Sequence, residues 1–167
     1  MVRTKRGGAA AMAGHNLALQ VTAWEAVLEV GATLSDSTFE LEVDGSSLRV
    51  IEGTGGMQAL GEDDKANIHQ TIDEEVLKQE RITFQSSQIQ GMPGDGGLSV
   101  QGDLTLLGAT HPFAFDIEIG DGDMLHCLAT LKQSDWGIKP YSALFGALKV
   151  LDEVEVELAG FLPAAES

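Results

Sequence analysis

Hydrophobic and polar residues alternate with a period of two along most of the chain. The pattern is clearest at residues 38–44, where Phe39, Leu41 and Val43 alternate with acidic and polar side chains. Because successive side chains of a β-strand point to opposite faces, such alternation predicts half-buried strands. About eight segments show it to different degrees, at residues 17–22, 38–44, 48–51, 82–86, 98–106, 113–119, 125–131 and 153–158.

Short turn sequences separate these predicted strands. Residues 120–123 are Gly-Asp-Gly-Asp, which is typical of a tight hairpin because Gly and Asp tolerate positive φ. Strands joined by loops this short run antiparallel, since a parallel crossover needs a dozen or more residues. The sequence therefore predicts a mainly β protein with an extended antiparallel barrel of about eight strands. Such a barrel can hold packed side chains or one small ligand.

Two helices interrupt the predicted sheet. Residues 62–78 carry an apolar stripe formed by Ile68, Ile72 and Val76, which predicts a clear amphipathic helix. Starting at Pro140, a shorter helix is predicted from apolar residues at i, i+3, i+4 and i+7, although Gly146 within it costs about 1 kcal/mol relative to alanine. The residues of this second pattern are Tyr141, Leu144, Phe145 and Leu148. No linker divides the chain, so we expect one domain over residues 1–167.

The charge of the chain limits its partners. Its 167 residues include 10 Lys+Arg and 26 Asp+Glu, a formal charge of −16, which disfavours nucleic acids and anionic membrane surfaces. The single cysteine, Cys127, cannot form an intramolecular disulfide. The stretch 7–14 is a poor apolar core for a signal peptide because it lacks Leu, Ile, Val and Phe, and no run of about 18 apolar residues exists. We therefore expect a cytoplasmic protein with no integral membrane segment.

No catalytic or metal-binding pattern stands out. The four histidines, His15, His69, His111 and His126, show no metal-ligand spacing. The glycine-rich residues 53–56 lack the other parts of a phosphate-binding loop. We expect no catalysis, no metal and no cofactor. An enzyme would need rim groups such as Asp135, His111 and His15 to converge at one mouth of the barrel.

Four segments, in order and with matching spacing, resemble the YceI-like polyisoprenoid-binding family. Residues 82–89, ITFQSSQI, resemble the family's I-x-F-x-S-x-x-I strand, and residues 102–112, GDLTLLGATHP, resemble G-x-L-T-I-x-G-V-T-[RK]-P. Residues 133–138, QSDWGI, are similar to R-S-D-F-G-I, and residues 152–158 fit the ending D-x-V-x-I-x-I. The resemblance is strongest over residues 63–161. His111 and Gln133 stand where the family pattern has basic residues.

The resemblance implies a lipocalin-like barrel that holds an isoprenoid or fatty-acyl chain in a long apolar interior. It also implies a non-catalytic carrier or reservoir, often a homodimer. The alternative is a filled barrel that acts as an interaction or stress-associated scaffold without a lipid ligand. For the lipid-binding hypothesis, the expected wall residues are Leu17, Leu19, Val21, Phe39, Leu41, Phe84, Leu104, Leu106, Phe113, Phe115 and Trp136. The residues expected to line or cover one end are Tyr141, Leu144 and Phe145.

Overall fold

The structure is a computed structural model that describes residues 1–94 and 96–161. Position 95 and residues 162–167, which belong to the predicted domain, lie outside the described residues. Helix α1, Glu62–Thr71, continues as a π-helical turn over Ile72–Val76. The strands are β1 Val2–Thr4, β2 Arg6–Gly7, β3 Asn16–Val21, β4 Trp24–Glu29, β5 Thr38–Asp44, β6 Leu48–Thr54, β7 Arg81–Gly91, β8 Gly97–Leu106, β9 Ala109–Ile119, β10 Met124–Lys132, β11 Ser142–Ala143, β12 Leu148–Val150 and β13 Glu153–Phe161.

Ten of these strands form one curled antiparallel sheet, a half-barrel, in the order β4-β5-β7-β8-β9-β10-β13-β1-β3-β6. The eight predicted segments are all strands of this sheet, and β1 and β4 add two that were not predicted. A second sheet of three short strands has the order β11-β12-β2. The prediction of a mainly β, antiparallel, lipocalin-like fold with one main helix is confirmed.

The predicted alternation sets which side chains face the interior. On β5, Phe39 and Val43 are buried and Leu41 is half-buried, whereas Glu40 and Glu42 face solvent. The pairing of β10 with β13 places apolar residues opposite one another in the same way. The matched pairs are Cys127 with Leu158, Ala129 with Val156 and Leu131 with Val154. One face of the sheet is therefore continuously apolar.

Helix α1 packs beside this sheet, close to the edge strand β6. Its first turn contains three acidic residues, which the positive end of the helix dipole stabilises. The Asp64 carboxylate also accepts a hydrogen bond of 2.9 Å from the Gly61 amide. Ile72 and Val76, part of the predicted apolar stripe, pack against the core. Among the described residues, no helix combines the length and apolar character needed to cross a bilayer.

The prediction of a second helix is wrong. Residues 142–150 form the short strands β11 and β12, joined by a turn in which Leu144 and Phe145 have φ of 51° and 55°. Strand β12 pairs with β2, with Lys149 opposite Gly7. This long-range backbone pairing outweighs the local apolar pattern. Gly146 had already made a helix at these residues less stable.

Candidate functional site

The half-barrel and helix α1 surround a cavity of about 550 Å³. This volume lies within the range of roughly 300–1,000 Å³ that is typical of small-molecule sites. Alternate residues of several strands form the wall, to which α1 contributes Ile68 and the π-helical turn contributes Ile72 and Val76, the three residues of the predicted stripe. The interior is therefore hollow over this part of the barrel, which disfavours a scaffold whose core is completely filled.

Most of the predicted wall residues lie on this cavity. They are Leu17, Leu19, Val21, Phe39, Leu41, Phe84, Leu104, Leu106, Phe113, Phe115 and Tyr141. Further wall residues were not predicted, although the same alternation on β10 and β13 could have identified them. They include Cys127, Ala129, Leu131, Val154, Val156 and Leu158. Contact of any of these residues with a ligand stays a prediction.

Four phenylalanines from three separate regions of the chain form an aromatic cluster on the wall. The ring centroids of Phe84 and Phe115 lie 5.1 Å apart, and Phe39 lies 6.1 Å from Phe84 and 6.0 Å from Phe115. Phe113 extends the cluster at 6.1 Å from Phe115. These tilted and edge-to-face contacts are the favoured geometry for aromatic pairs. The cluster gives one side of the cavity a rigid apolar surface.

Trp136 does not line the cavity. It is buried in the 3₁₀ turn Gln133–Trp136, and its indole Nε1 donates a hydrogen bond of 2.9 Å to the Leu104 carbonyl. Its ring packs edge-to-face on Phe113, with centroids 5.9 Å apart. The turn has no strand periodicity, so the sequence could not show which way this side chain points. Trp136 therefore packs against the wall residue Phe113 as part of the buried core without itself lining the cavity.

Leu144 and Phe145 do not line the cavity either. Both occupy the left-handed turn between β11 and β12, where Leu144 is mostly exposed and Phe145 is fully exposed. Tyr141, three residues earlier, is on the wall and partly open to solvent. The helix that was expected to direct all three residues inward does not form, which is why only one of them reaches the cavity.

One part of the barrel is solidly packed. Ile89 and Val100 are each only 1% exposed, and Leu98 and Ile117 are buried beside them. None of the four lies on the cavity wall. The register pairs Ile89 with Val100 and Leu98 with Ile117, so the members of each pair lie side by side on one face of β7, β8 and β9, where they are part of the buried core. The empty volume is thus confined to the remainder of the interior.

Cys127 lines the cavity as an unreactive thiol. Its side chain is buried on β10. Burial, together with the nearby Asp116 carboxylate, raises the pKa of the Cys127 thiol to about 11. A buried thiol with a raised pKa is mostly protonated at neutral pH and is therefore a poor nucleophile. Its contribution at this position is that of a small apolar side chain.

The lining also includes residues of the N-terminal segment, Arg6, Gly14 and His15, and of the segment around the small sheet, Tyr141 and Lys149; we term this part of the lining the mouth. Arg6 Nη1 donates a hydrogen bond of 2.5 Å to the Gly14 carbonyl. His15 Nε2 donates a hydrogen bond of 2.7 Å to the carbonyl of residue 58. The first contact lies within the N-terminal segment, and the second ties that segment to the loop that follows β6.

The glycines of that loop allow it to approach the mouth closely. Gly55 and Gly56 have φ of 77° and 76°, and a Cβ at Gly55 would lie 2.6 Å from Arg6 Cζ. A Cβ at Gly56 would overlap the imidazole of His15. The glycine-rich segment that the sequence left without a role therefore lets backbone pack directly against two polar side chains of the mouth.

Within residues 1–94 and 96–161, no group of three or more His, Cys, Asp or Glu is placed to hold a metal ion. His126 contacts Glu157 at 3.0 Å, and His69 contacts Asp73 at 3.2 Å. The ring of His111 packs edge-to-face on Trp136.

A curled antiparallel sheet with one main helix around an apolar cavity defines a lipocalin-like fold. The sequence matches the YceI-like domain over residues 5–160, and the chain belongs to this family. The match includes most of the first sixty residues, which the sequence motifs, concentrated in residues 63–161, left unassigned. No curated protein matches the chain.

Solved structures share this fold. The Burkholderia cenocepacia protein BcnA superimposes with a TM-score of 0.62 at 15% identity, covering 95% of this chain and 94% of that chain. The Campylobacter jejuni YceI protein gives a TM-score of 0.53 at 14% identity, covering 88% of this chain and 86% of that chain. A mutant of that protein with a monobromobimane guest gives 0.57 at 15% identity, with the same coverage. At these identities the likeness shows the fold.

Proposed function

We propose that the protein is a non-catalytic carrier or reservoir that holds a long-chain amphiphile, an isoprenoid or a fatty-acyl lipid, in its cavity. The observation that carries this proposal is an empty interior of about 550 Å³ whose wall is mostly apolar. Membership of the YceI-like family supports it. The wall residues proposed to contact the chain are those of the predicted set that line the cavity.

Hydrophobic burial alone can supply useful affinity in such a site. Transfer of ten chain carbons from water contributes about 8 kcal/mol, at about 0.8 kcal/mol for each methylene, before the costs of association and chain ordering. The aromatic cluster of Phe39, Phe84, Phe113 and Phe115 offers a rigid surface for these carbons. Because so few polar groups line the interior, selectivity for the chain would come from the length and width of the cavity.

Native mass spectrometry of freshly purified protein tests this proposal. We expect a mass adduct that disappears after organic extraction and reappears when prenyl or long-chain acyl lipids are added to the delipidated protein. The extracted lipid can then be identified by its fragmentation. Repeated preparations that neither carry an adduct nor take up added chains would contradict the proposal.

A homodimer and a cytoplasmic location stay predictions that belong to the same proposal. Strand β4 is an edge of the main sheet, and its Trp24 and Val27 are partly exposed apolar side chains. Unpaired edge strands of this kind can pair with another chain. Light scattering on the eluting protein should give twice the mass of one chain, and a single-chain mass would contradict the dimer.

A further inference from the structure

The most exposed large apolar side chains of the described residues belong to segments that adjoin the mouth of the cavity. Phe145 is fully exposed, and Met57 and Met12 are 79% and 78% exposed. Leu144, beside Phe145, is also mostly exposed. Single exposed apolar residues are normal on a protein surface, whereas a group of them around one opening indicates an interaction site.

Backbone contacts join the segment of Met12 to the turn that carries Phe145. The Ala10 amide donates a hydrogen bond of 2.8 Å to the Ala147 carbonyl. The 3₁₀ turn Ala11–Ala13, which contains Met12, contacts strand β12. The cavity-lining residues on these two segments are Ala13, Gly14, Tyr141, Leu148 and Lys149. Both exposed side chains therefore belong to segments that border the cavity.

Met57 adjoins the mouth from the loop that follows β6. It is preceded by Gly56, where a Cβ would overlap the imidazole of His15. It is followed by Gln58, whose carbonyl accepts a hydrogen bond of 2.7 Å from His15 Nε2. Because His15 lines the cavity, this loop places a third exposed apolar residue beside the mouth.

The turn that carries Leu144 and Phe145 lies at the rim of the cavity. Tyr141 before it and Leu148 after it both line the cavity. Between them, Leu144, Phe145 and Gly146 have φ of 51°, 55° and 86°. Positive φ is uncommon for bulky residues and has a conformational cost, which burial of these two exposed side chains does not offset. Such strain is typical of functional segments.

The segments around the mouth also differ from the rest of the chain in charge. Residues 1–24 and 136–151 contain none of the 26 Asp+Glu, although they contain five of the ten Lys+Arg. The five cations are Arg3, which pairs with Glu155 and Glu157, and Lys5, Arg6, Lys139 and Lys149. A protein of charge −16 thus brings its acid-free segments together in the small sheet and the mouth.

We infer that this region docks on the surface of a lipid bilayer that contains anionic head groups, with Leu144 and Phe145 inserted among the lipids. The region, which we term the docking face, consists of residues 5–15, 55–58 and 139–149. It contains no Asp or Glu and holds four cations beside its exposed apolar side chains. An apolar tip flanked by basic residues is the chemistry that binds the interface of an anionic membrane.

Both parts of the docking face contribute to the affinity. Transfer of a fully exposed side chain such as Phe145 out of water contributes about tenfold or more. Each Lys or Arg close to an anionic membrane adds roughly fivefold. This attraction acts over a Debye length of about 8 Å, so cations on different sides of the small sheet, such as Arg6 and Lys149, contribute without sharing a contact.

The remaining surface orients the protein on the membrane. Outside the docking face acidic residues predominate, so an anionic membrane repels the other faces of the molecule. The cavity reaches the surface within the docking face, since Tyr141 and Lys149 both line it and are exposed. Docking would thus place the opening of the cavity against the bilayer. Uptake of a lipid chain from the bilayer rests on the proposed function, whereas docking itself does not.

Flotation of the delipidated full chain with unilamellar vesicles tests the inference. One set of vesicles is phosphatidylcholine alone, and the other contains equal parts of phosphatidylcholine and phosphatidylglycerol. We expect the partition coefficient of the wild-type protein to be at least about fivefold higher on the anionic vesicles. Phe145→Ser should lower the partition coefficient on these vesicles about tenfold. Because Phe145 is fully exposed, the variant should fold normally, which circular dichroism checks.

Phe161→Ser is the matched control for the apolar tip. Phe161 is 73% exposed and lies at the far end of the nine-residue strand β13, roughly 26 Å from its first residue. This variant should bind the vesicles within about twofold of wild type.

A second pair of variants tests the charge. Lys139→Gln/Lys149→Gln removes two exposed cations of the docking face and should lose most of the preference for anionic vesicles. Lys78→Gln/Arg81→Gln removes the same charge at exposed positions outside the docking face and should keep that preference.

The outcomes separate docking from lipid storage. Absence of wild-type binding to anionic vesicles, or equal binding to both compositions, overturns the inference. Equal losses for Phe145→Ser and Phe161→Ser overturn the assignment to the docking face. If Phe145→Ser lowers the mass measured by light scattering without changing vesicle binding, the tip is a contact between copies of the chain, and the inference is overturned. Since no free ligand is present, vesicle binding can succeed where native mass spectrometry finds no adduct, and the reverse.

Discussion

Filling the cavity with a new side chain distinguishes a hollow barrel from a packed one. Ala129 is a small, half-buried residue of β10 that lines the cavity. The substitution Ala129→Trp would direct an indole into this space. The added side chain takes roughly 140 Å³, close to five times the share of one molecule in liquid water. It would therefore occupy about a quarter of the 550 Å³ cavity.

The expected effect on ligand binding depends on the length of the lipid chain. The displaced volume corresponds to about five methylenes, which at about 0.8 kcal/mol each is at most about 4 kcal/mol. Since 1.4 kcal/mol is tenfold in affinity, we expect chains that fill the cavity to bind about 10- to 1,000-fold more weakly. Shorter lipid chains should lose less affinity. In a solidly packed interior the same change would lower the free energy of unfolding by about 1–3 kcal/mol through overpacking.

Two assays on the delipidated variant measure these effects. Urea unfolding gives the free energy of unfolding, which we expect to stay within about 1 kcal/mol of wild type because the indole enters empty space. Competition binding over a series of chain lengths gives the affinity. Leu128→Trp, on the outer face of the same strand, is the matched control and should leave binding unchanged. A variant at Ala129 that is destabilised by overpacking and still binds long chains normally would refute the reasoning.

Three further predictions follow from the surroundings of the cavity. Trp136→Phe removes the buried donor to the Leu104 carbonyl and should lower the free energy of unfolding in urea by about 1–3 kcal/mol; an unchanged value would show that this hydrogen bond is unimportant. Because only the thiolate reacts, the rate at which iodoacetamide modifies Cys127 should rise about tenfold per pH unit towards pH 11. A rate that reaches a plateau near pH 9 would contradict the raised pKa of this thiol. Gly56→Ala should lower the free energy of unfolding by about 1 kcal/mol or more, since it forces a positive φ and crowds His15; an unaffected urea midpoint would contradict this.

The parts of the fold that were predictable are those in which local pattern and tertiary environment agree. Residues 38–44 form β5 with the predicted bounds, because one face of this strand is apolar and the other acidic. The stripe of Ile68, Ile72 and Val76 lies on the cavity for the same reason. Prediction from periodicity is wrong where the pattern is ambiguous. At residues 140–148 the apolar spacing is that of a helix, but pairing with β2 makes residues 148–150 a strand.

The mouth could not be predicted from local sequence. Arg6 belongs to a two-residue strand and Lys149 to a three-residue strand, both too short to show alternation. The two strands come together only through long-range pairing between β2 and β12. The direction of Trp136 was likewise beyond prediction, because a single 3₁₀ turn has no repeating face. Residues that support or close a site through tertiary contacts carry little signal in hydropathy patterns.

The most direct test of the central claim is the position of a bound chain. Delipidated protein loaded with a long-chain fatty acid that carries bromine at its methyl end can be crystallised and examined by anomalous diffraction. The account predicts one bromine site inside the cavity, in contact with residues such as Phe84, Leu106 or Val156. Bromine bound only on the outer surface of the sheet, with the cavity empty, would contradict it.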